Sequence, residues 1–440
     1  MLLAAILPGN TLGSMTPEQK QADPTMSRSP SAVALLEQLQ SHAGHRSGDE
    51  RTPEDDPRIL REIARKALLQ ERLDAITDAS LEQIADASVA IVGEPSFEAD
   101  VEARAQEMER HYAQPDGDLW SRHERPDRRL RLAELVMRVE RGAGTAGYRI
   151  PRRPVVGTLP TYELNAKAIP GPSGEGHLVV FDSGMFRYSA TLGWIAAQAL
   201  NATEDEKAYE LDPGAIHRVP GCFLALARQW ADLLFCQAVL ETCVYTEIVR
   251  VAPQHAAFAE RLTQAVDTFA LAHEYGHVIL GHVDIPGVGR ALDPQAAHAQ
   301  EFAADAVGLE ICTAAWGDPW WACLGACAFF FGGEAVELAT NSFRTGTPQG
   351  GASPSHPSSA ARRRAITERL VAAGDGPNRV SKAMYDALGQ LTGFSLPAFA
   401  EAYRAGVPES GYRPPDEYAK QAVFRAFWYA TVALHNEGKS

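Results

Sequence analysis

At 440 residues the chain has room for two or three domains, or for one large domain with extensions, and its 45% apolar and 22% charged content is ordinary for a globular protein. A formal net charge of -15 and a pI of about 5.4 exclude a general polyanion binder, because phosphate contacts need clustered Lys and Arg; nucleic acid is not an expected partner. The six cysteines (Cys222, Cys236, Cys243, Cys312, Cys323 and Cys327) form no CxxC pair and lie in apolar stretches, which fits buried free thiols in a reducing compartment.

In chain order, the opening MLLAAILPGN has no basic n-region and meets Pro8 after a short apolar run, unlike a secretory signal. Residues 1–57, rich in Ser, Pro, Gly, Gln and charge, are expected to be a disordered tail, since they offer too little apolar surface to offset chain entropy. Residues 58–145 read as a helical N-terminal region. Its three patterns are PRILREIARKALLQERLDAI, SLEQIADASVAIV and RRLRLAELVMRVERG, the last ending on the plausible C-cap Gly142.

The Gly/Pro-rich joint RGAGTAGYRIPRRPVVGTLP then leads into residues 146–375. Here come NAKAIPG and then GHLVVFDSGMF, the best strand candidate of the chain, and helical patterns follow, interrupted by the loop Arg344 to Ser355. Residues 376–440 read as a C-terminal helical region. The longest apolar run, Trp320 to Gly333, falls short of the ~20 residues a membrane-crossing helix needs, so no transmembrane segment and a cytoplasmic location are expected.

The stretch that carries chemistry is LAHEYGHVILGH, Leu271 to His282. Phe258, Leu262, Val266, Phe269 and Leu280 form the inward stripe of a helix, and His273 and His277 fall on that stripe, aimed into the protein. An i, i+4 imidazole pair supplies two corners of a tetrahedral zinc site, and Glu274, ~100° around the axis, stands where a general base would. HExxH also occurs in proteins that bind nothing, so a third ligand is needed.

The downstream possibilities are His282, Asp284, His298 and Glu301. His282 is ~140° off the face of His277 and follows a glycine, as a helix-end residue would. His298 precedes the next helix and reads as surface or as a supporting group. Glu301 is the better choice: it opens EFAAD, with Asp305 one turn on as the partner that orients a ligand histidine. Ala303, Ala304, Ala306 and Gly308 would let this helix lie close to the first; the competing reading is a solvated acidic face.

HEYGH followed by EFAAD resembles the gluzincin metallopeptidases of the CAAX prenyl protease/HtpX type. LNAKAIPG with GHLVVFDSGMF (Leu164 to Phe186) is similar to that family's NAxALPGG segment and following strand, and SHPSSAARR (Ser355 to Arg363) to its [ST]HPxxxxR segment. The four segments stand in family order over roughly residues 155–375. The resemblance implies a mainly α (α+β) fold: a zincin-like core with a small antiparallel sheet, helical at both ends. It implies one Zn2+ per chain on His273, His277 and Glu301, with Glu274 as base and Asp305 orienting a histidine. His356 would face the site, Arg362 would stand behind it or touch substrate, and Asn165 would lie near the cleft. Each of these last three also has a plain reading, as turn or surface residue.

The chain departs from the family in lacking membrane segments and in the 85 residues between strand and HEYGH helix (Arg187 to Leu271), so prenylated or membrane substrates are not carried over. The expected activity is endopeptidase cleavage of a protein or peptide by zinc-activated water, with substrate along the edge of the Leu178 to Phe181 strand. Two alternatives are a narrowly specific peptidase silent until triggered, with the helical flanks or the Arg344 to Ser355 loop as control elements, and a non-catalytic zinc-stabilised interaction protein.

Overall fold

The computed structural model describes residues 30–47, 90–113, 126–161, 164–171, 176–201, 203–205, 208–218, 221–241, 253–284, 293–351, 355–373 and 375–404, with isolated positions elsewhere. The first two helical patterns of the N-terminal region lie largely outside these residues, as does Cys243.

The protein is mostly helical with one small three-stranded sheet. Strands β1 (Val155–Leu159), β2 (Ala166–Pro170) and β3 (His177–Asp182) are ordered β1-β3-β2. The expected antiparallel sheet is in fact mixed: β2 pairs with β3 antiparallel, but β1 pairs with β3 parallel. The cause is the connection after β1, which passes over the end of β3. There Thr161 O accepts from Gly184 N and Asn165 O from Asp182 N, and the chain returns as β2 on the far side. The Leu178 to Phe181 strand is therefore central, with both edges occupied, and the expectation of a substrate along it is overturned. Among the described residues the outer edge of β2 carries no strand.

The alternation of β3 divides the sheet into two faces. Val156, Val179 and Phe181 join the main core, whereas Val155, Leu159, Leu178 and Val180 pack against Ala32 and Leu36 of helix α1 (Pro30–Ser47). Within the expected tail at 1–57, residues 30–47 thus form a docked helix, and the rest of that segment lies outside the described residues. The polar composition of α1 conceals one apolar stripe, and Gln40 anchors it by donating to Glu124 Oε2 (2.9 Å) and to Thr158 O (2.8 Å).

Helix α2 (Phe97–Ala113) precedes α3 (Pro126–Thr145). After the sheet come α4 (Ser183–Ala199), a small hairpin of β4 (Thr203–Asp205) and β5 (Ala208–Glu210), the short α5 (Ala215–Arg218) and α6 (Cys222–Ala238). Then follow α7 (Pro253–Ile279), α8 (Pro294–Trp316), α9 (Pro319–Thr345), α10 (Ser359–Ala373) and α11 (Asp375–Arg404). One hydrophobic cluster runs from Leu132 on α3 through α4, α6, α7, α8 and α9 to Leu391 and Phe399 on α11. The chain boundaries expected at 145/146 and 375/376 thus do not separate cores.

Helix α7 is buried nearly all round from Leu262 to Tyr275, as befits a helix with neighbours on every side. Helix α9 is long and apolar enough to cross a membrane, yet 67% of its most apolar window is buried inside the protein. Cys323 and Cys327 on this helix are buried free thiols with sulfurs 3.9 Å apart.

Candidate metal centre

Helices α7 and α8 approach each other as closely as backbones allow. A Cβ on Gly276 would stand 2.8 Å from Ala304 O, and one on Gly308 would stand 3.0 Å from His273 N. The small residues EFAADAVG are what permit this. The approach brings Glu301, 24 positions after His277, against both histidines.

His273 Nε2 lies 3.1 Å from His277 Nε2 and 3.4 Å from Glu301 Oε2, and His277 Nε2 lies 3.3 Å from Glu301 Oε1. The carboxylate thus faces the two imidazoles with different oxygens, Oε2 towards His273 and Oε1 towards His277, and all three groups converge on one point. The group is buried, and its ligand atoms are close enough together to hold a metal ion. Glu301 Oε2 is itself a buried atom without a hydrogen bond; Arg362 Nη1 is 3.1 Å away but not aligned to donate.

The supporting groups lie behind the ligands. His273 Nδ1 is 2.9 Å from Asp305 Oδ1, which fixes its proton on Nδ1 and leaves the Nε2 lone pair facing Glu301 and His277. Arg362, from the first turn of α10, donates through Nη2 to Asp305 Oδ1 (2.6 Å) and through Nε to Oδ2 (2.8 Å), while its guanidinium stacks 4.9 Å above Phe330. Glu274 Oε1 stands 4.0 Å from His273 Nε2, beside the ligand triangle and not part of it.

Charge and burial together define what fits. Glu274, Glu301, Asp305 and Arg362 are 7%, 6%, 2% and 9% exposed, so with the histidines neutral, as ligands must be, three carboxylates and one guanidinium leave a net charge of -2 in a buried place. Buried charge must be compensated, and a metal cation held by these three groups would do so. The protonation equilibria show the same demand for positive charge. Burial and Arg362 oppose a charged His273, yet the carboxylates of Asp305 and Glu301 beside it outweigh them and push its pKa up to about 9, so a cation at this place takes over the role of that proton. Burial would raise Glu301, but the two histidines and Arg362 hold it far below the usual carboxylate range. Asp305, despite burial, is held low by Arg362, and Arg362 in turn is held high by Asp305 and Glu301.

His356 sits at the open side of the cluster, with its side chain exposed and Nε2 3.7 Å from Glu301 Oε1. Ser355 Oγ is 2.8 Å from its Nδ1, and partial loss of hydration, with Arg362 and the two histidines nearby, lowers its pKa against the opposing pull of Glu301. The loop ahead of it begins at Gly346, past the end of α9, so Arg344 and Thr345 are helical. His298 tethers this loop through Nε2 to Ser353 O (2.8 Å). Asn165 is the one expected site residue the cluster does not gather: its exposed side chain stands just before β2, and its carbonyl serves the sheet.

Two contacts beside the cluster are not foreseen by the sequence. His282, set aside as a helix end, has its Nδ1 3.0 Å from His277 Nδ1, and burial and His277 push its pKa down to about 4. Ser355 entered only as the first residue of the segment similar to [ST]HPxxxxR, with no role of its own; its place directly before the histidine was the available signal. Comparison with protein-family models, curated proteins and solved structures finds no match.

Proposed function

We propose that this chain is a zinc-dependent endopeptidase with a gluzincin-type site in a zincin-like core. The observation that carries the reading is the convergence of two imidazole nitrogens and a carboxylate close enough to hold one metal ion, with a separate carboxylate, Glu274, beside them. Two histidines with one carboxylate is a donor set suited to zinc, and three protein ligands leave a position open for reactants. A zinc ion held there acts as a Lewis acid, lowering the pKa of a water at the open position towards ~7 and polarising a carbonyl.

The chain's own groups do the rest. Glu274 takes the proton from the attacking water and passes it to the leaving amine, which needs a carboxylate near the ligands but free of the metal. With Ser355 Oγ donating to Nδ1, His356 keeps its proton on Nε2, directed at the open side, where it can bond the developing oxyanion. Asp305 and Arg362 hold His273 in the ligating tautomer. The substrate lies extended along the outer edge of β2, which packs against α7, and gains backbone hydrogen bonds there.

Glu274→Gln tests the reading. It should keep the metal and lower cleavage by about 10²–10⁴-fold. In cells expressing each form, new protein N-termini should arise with wild type and not with the variant. A Glu274→Gln protein that cuts as well as wild type would end the proposal.

A further inference from the structure

We propose that His282 is a positioning residue for the metal site: neutral, with its proton on Nε2, it accepts the Nδ1–H of His277 and holds that ring in the tautomer and orientation that turn Nε2 to the cation. The inference rests on the metal-binding reading above and concerns how the second histidine ligand is held.

The two Nδ1 atoms are 3.0 Å apart, with the rings at 66° and centroids 5.1 Å apart. Two ring nitrogens at this distance share one proton, so one donates and the other accepts. The other nitrogen of His277 is the one turned to His273 and Glu301, at 3.1 and 3.3 Å, and a ligating nitrogen must offer a lone pair. The His277 proton therefore belongs on Nδ1, and His282 is the acceptor. Each ligand histidine then has its own support: Asp305 for His273, His282 for His277.

The usual partner of a ligating histidine is a carboxylate, a carbonyl or water. An imidazole here has a physical reason. The cluster already carries a net charge of -2, and another carboxylate would exceed what one divalent ion neutralises.

Local backbone conformation delivers the residue. On a continuing helix His282 would point ~140° away from His277. Instead α7 ends at Ile279 and Gly281 takes φ +71°, a left-handed conformation in which a side chain is strained. The chain then turns through the short 3-10 segment His282–Asp284, which packs beside β2 and brings His282 back beneath His277.

The test is zinc affinity of the full chain, measured by competition with a chromophoric chelator, for wild type, His282→Ala, His282→Leu and His282→Asn. Loss of such a supporting group weakens metal binding by about 10–100-fold, and the Ala and Leu forms should show this. The Asn form, whose Oδ1 can accept the same N–H, should recover most of the loss. The visible absorption of bound Co2+ should change in Ala and Leu and return towards wild type in Asn. Equal affinity in wild type and the Leu form, or an Asn form as weak as the Leu form, would overturn the role of His282 while leaving the metal site intact; this comparison stands even where His282→Ala does not fold. A wild-type chain that binds no zinc would overturn the metal reading itself, and this inference with it.

Discussion

Helix α7 carries two buried polar clusters six residues apart, and they are built on opposite principles. At Asp267, which has no exposed surface, every acceptor meets a donor: Arg131 bonds Oδ2 through both Nε and Nη2, and Ser189 Oγ bonds Oδ1 at 2.5 Å. At His273 and His277 acceptors meet acceptors, with imidazole nitrogens and a carboxylate converging at 3.1–3.4 Å. Matched donors and acceptors tie α3 and α4 to α7 and need nothing further. Converging lone pairs are stable only with a positive charge among them. Burial of charge is common to both places; the mismatch of donors separates a binding site from a strut.

The largest effect that can break this contrast comes from Asp267→Ala. Losing it leaves Arg131 and Ser189 without their buried partner, and unfolding in denaturant should show a loss of about 3 kcal/mol, the low end for a buried pair because Arg131 is partly exposed. Zinc content should stay at one per chain; a variant that folds but loses the metal would mean the two clusters are one network.

A smaller effect is expected from Gly308→Ala. The new methyl would press on His273 N at 3.0 Å, costing about 1–2 kcal/mol of stability and, unlike Asp267→Ala, weakening zinc binding as well. Unchanged zinc affinity would show that α7 and α8 can separate without disturbing the ligands. The smallest effect should come from Asn165→Ala, exposed and outside the cluster: stability within about 0.5 kcal/mol by thermal melting, and zinc affinity unchanged. A drop in affinity there would tie Asn165 to the metal cluster, from which its side chain stands apart.

The parts of the site readable in the sequence are those set by helix periodicity. His273, Glu274 and His277 share one helix and Glu301 and Asp305 another, and a period of 3.6 fixes which side chains face together. The small residues of α8 announced the close approach. Arg362 and His356 came only through resemblance, because nothing local links a residue on α10 to a histidine 89 positions earlier. His282 does lie past the helix end, as expected, but its contact with His277 escaped because a helical wheel cannot show where the left-handed turn at Gly281 sends the chain.

The same limit explains the fold. Strands β2 and β3 form a local hairpin, but the parallel pairing of β1 depends on a connection whose path the residues do not declare. Helix α1 escaped because its few apolar residues suffice only against the waiting face of the sheet, where Gln40 meets Glu124, 84 positions away. Tertiary partners decide such segments, and their own composition does not.

The most direct test of the account is a zinc titration of the purified chain beside Glu301→Ala and Glu274→Gln, read as moles of metal retained per mole of protein. The account predicts one zinc in wild type and in Glu274→Gln, and none in Glu301→Ala. Retention by Glu301→Ala as tight as wild type, or no retention by wild type, would contradict it.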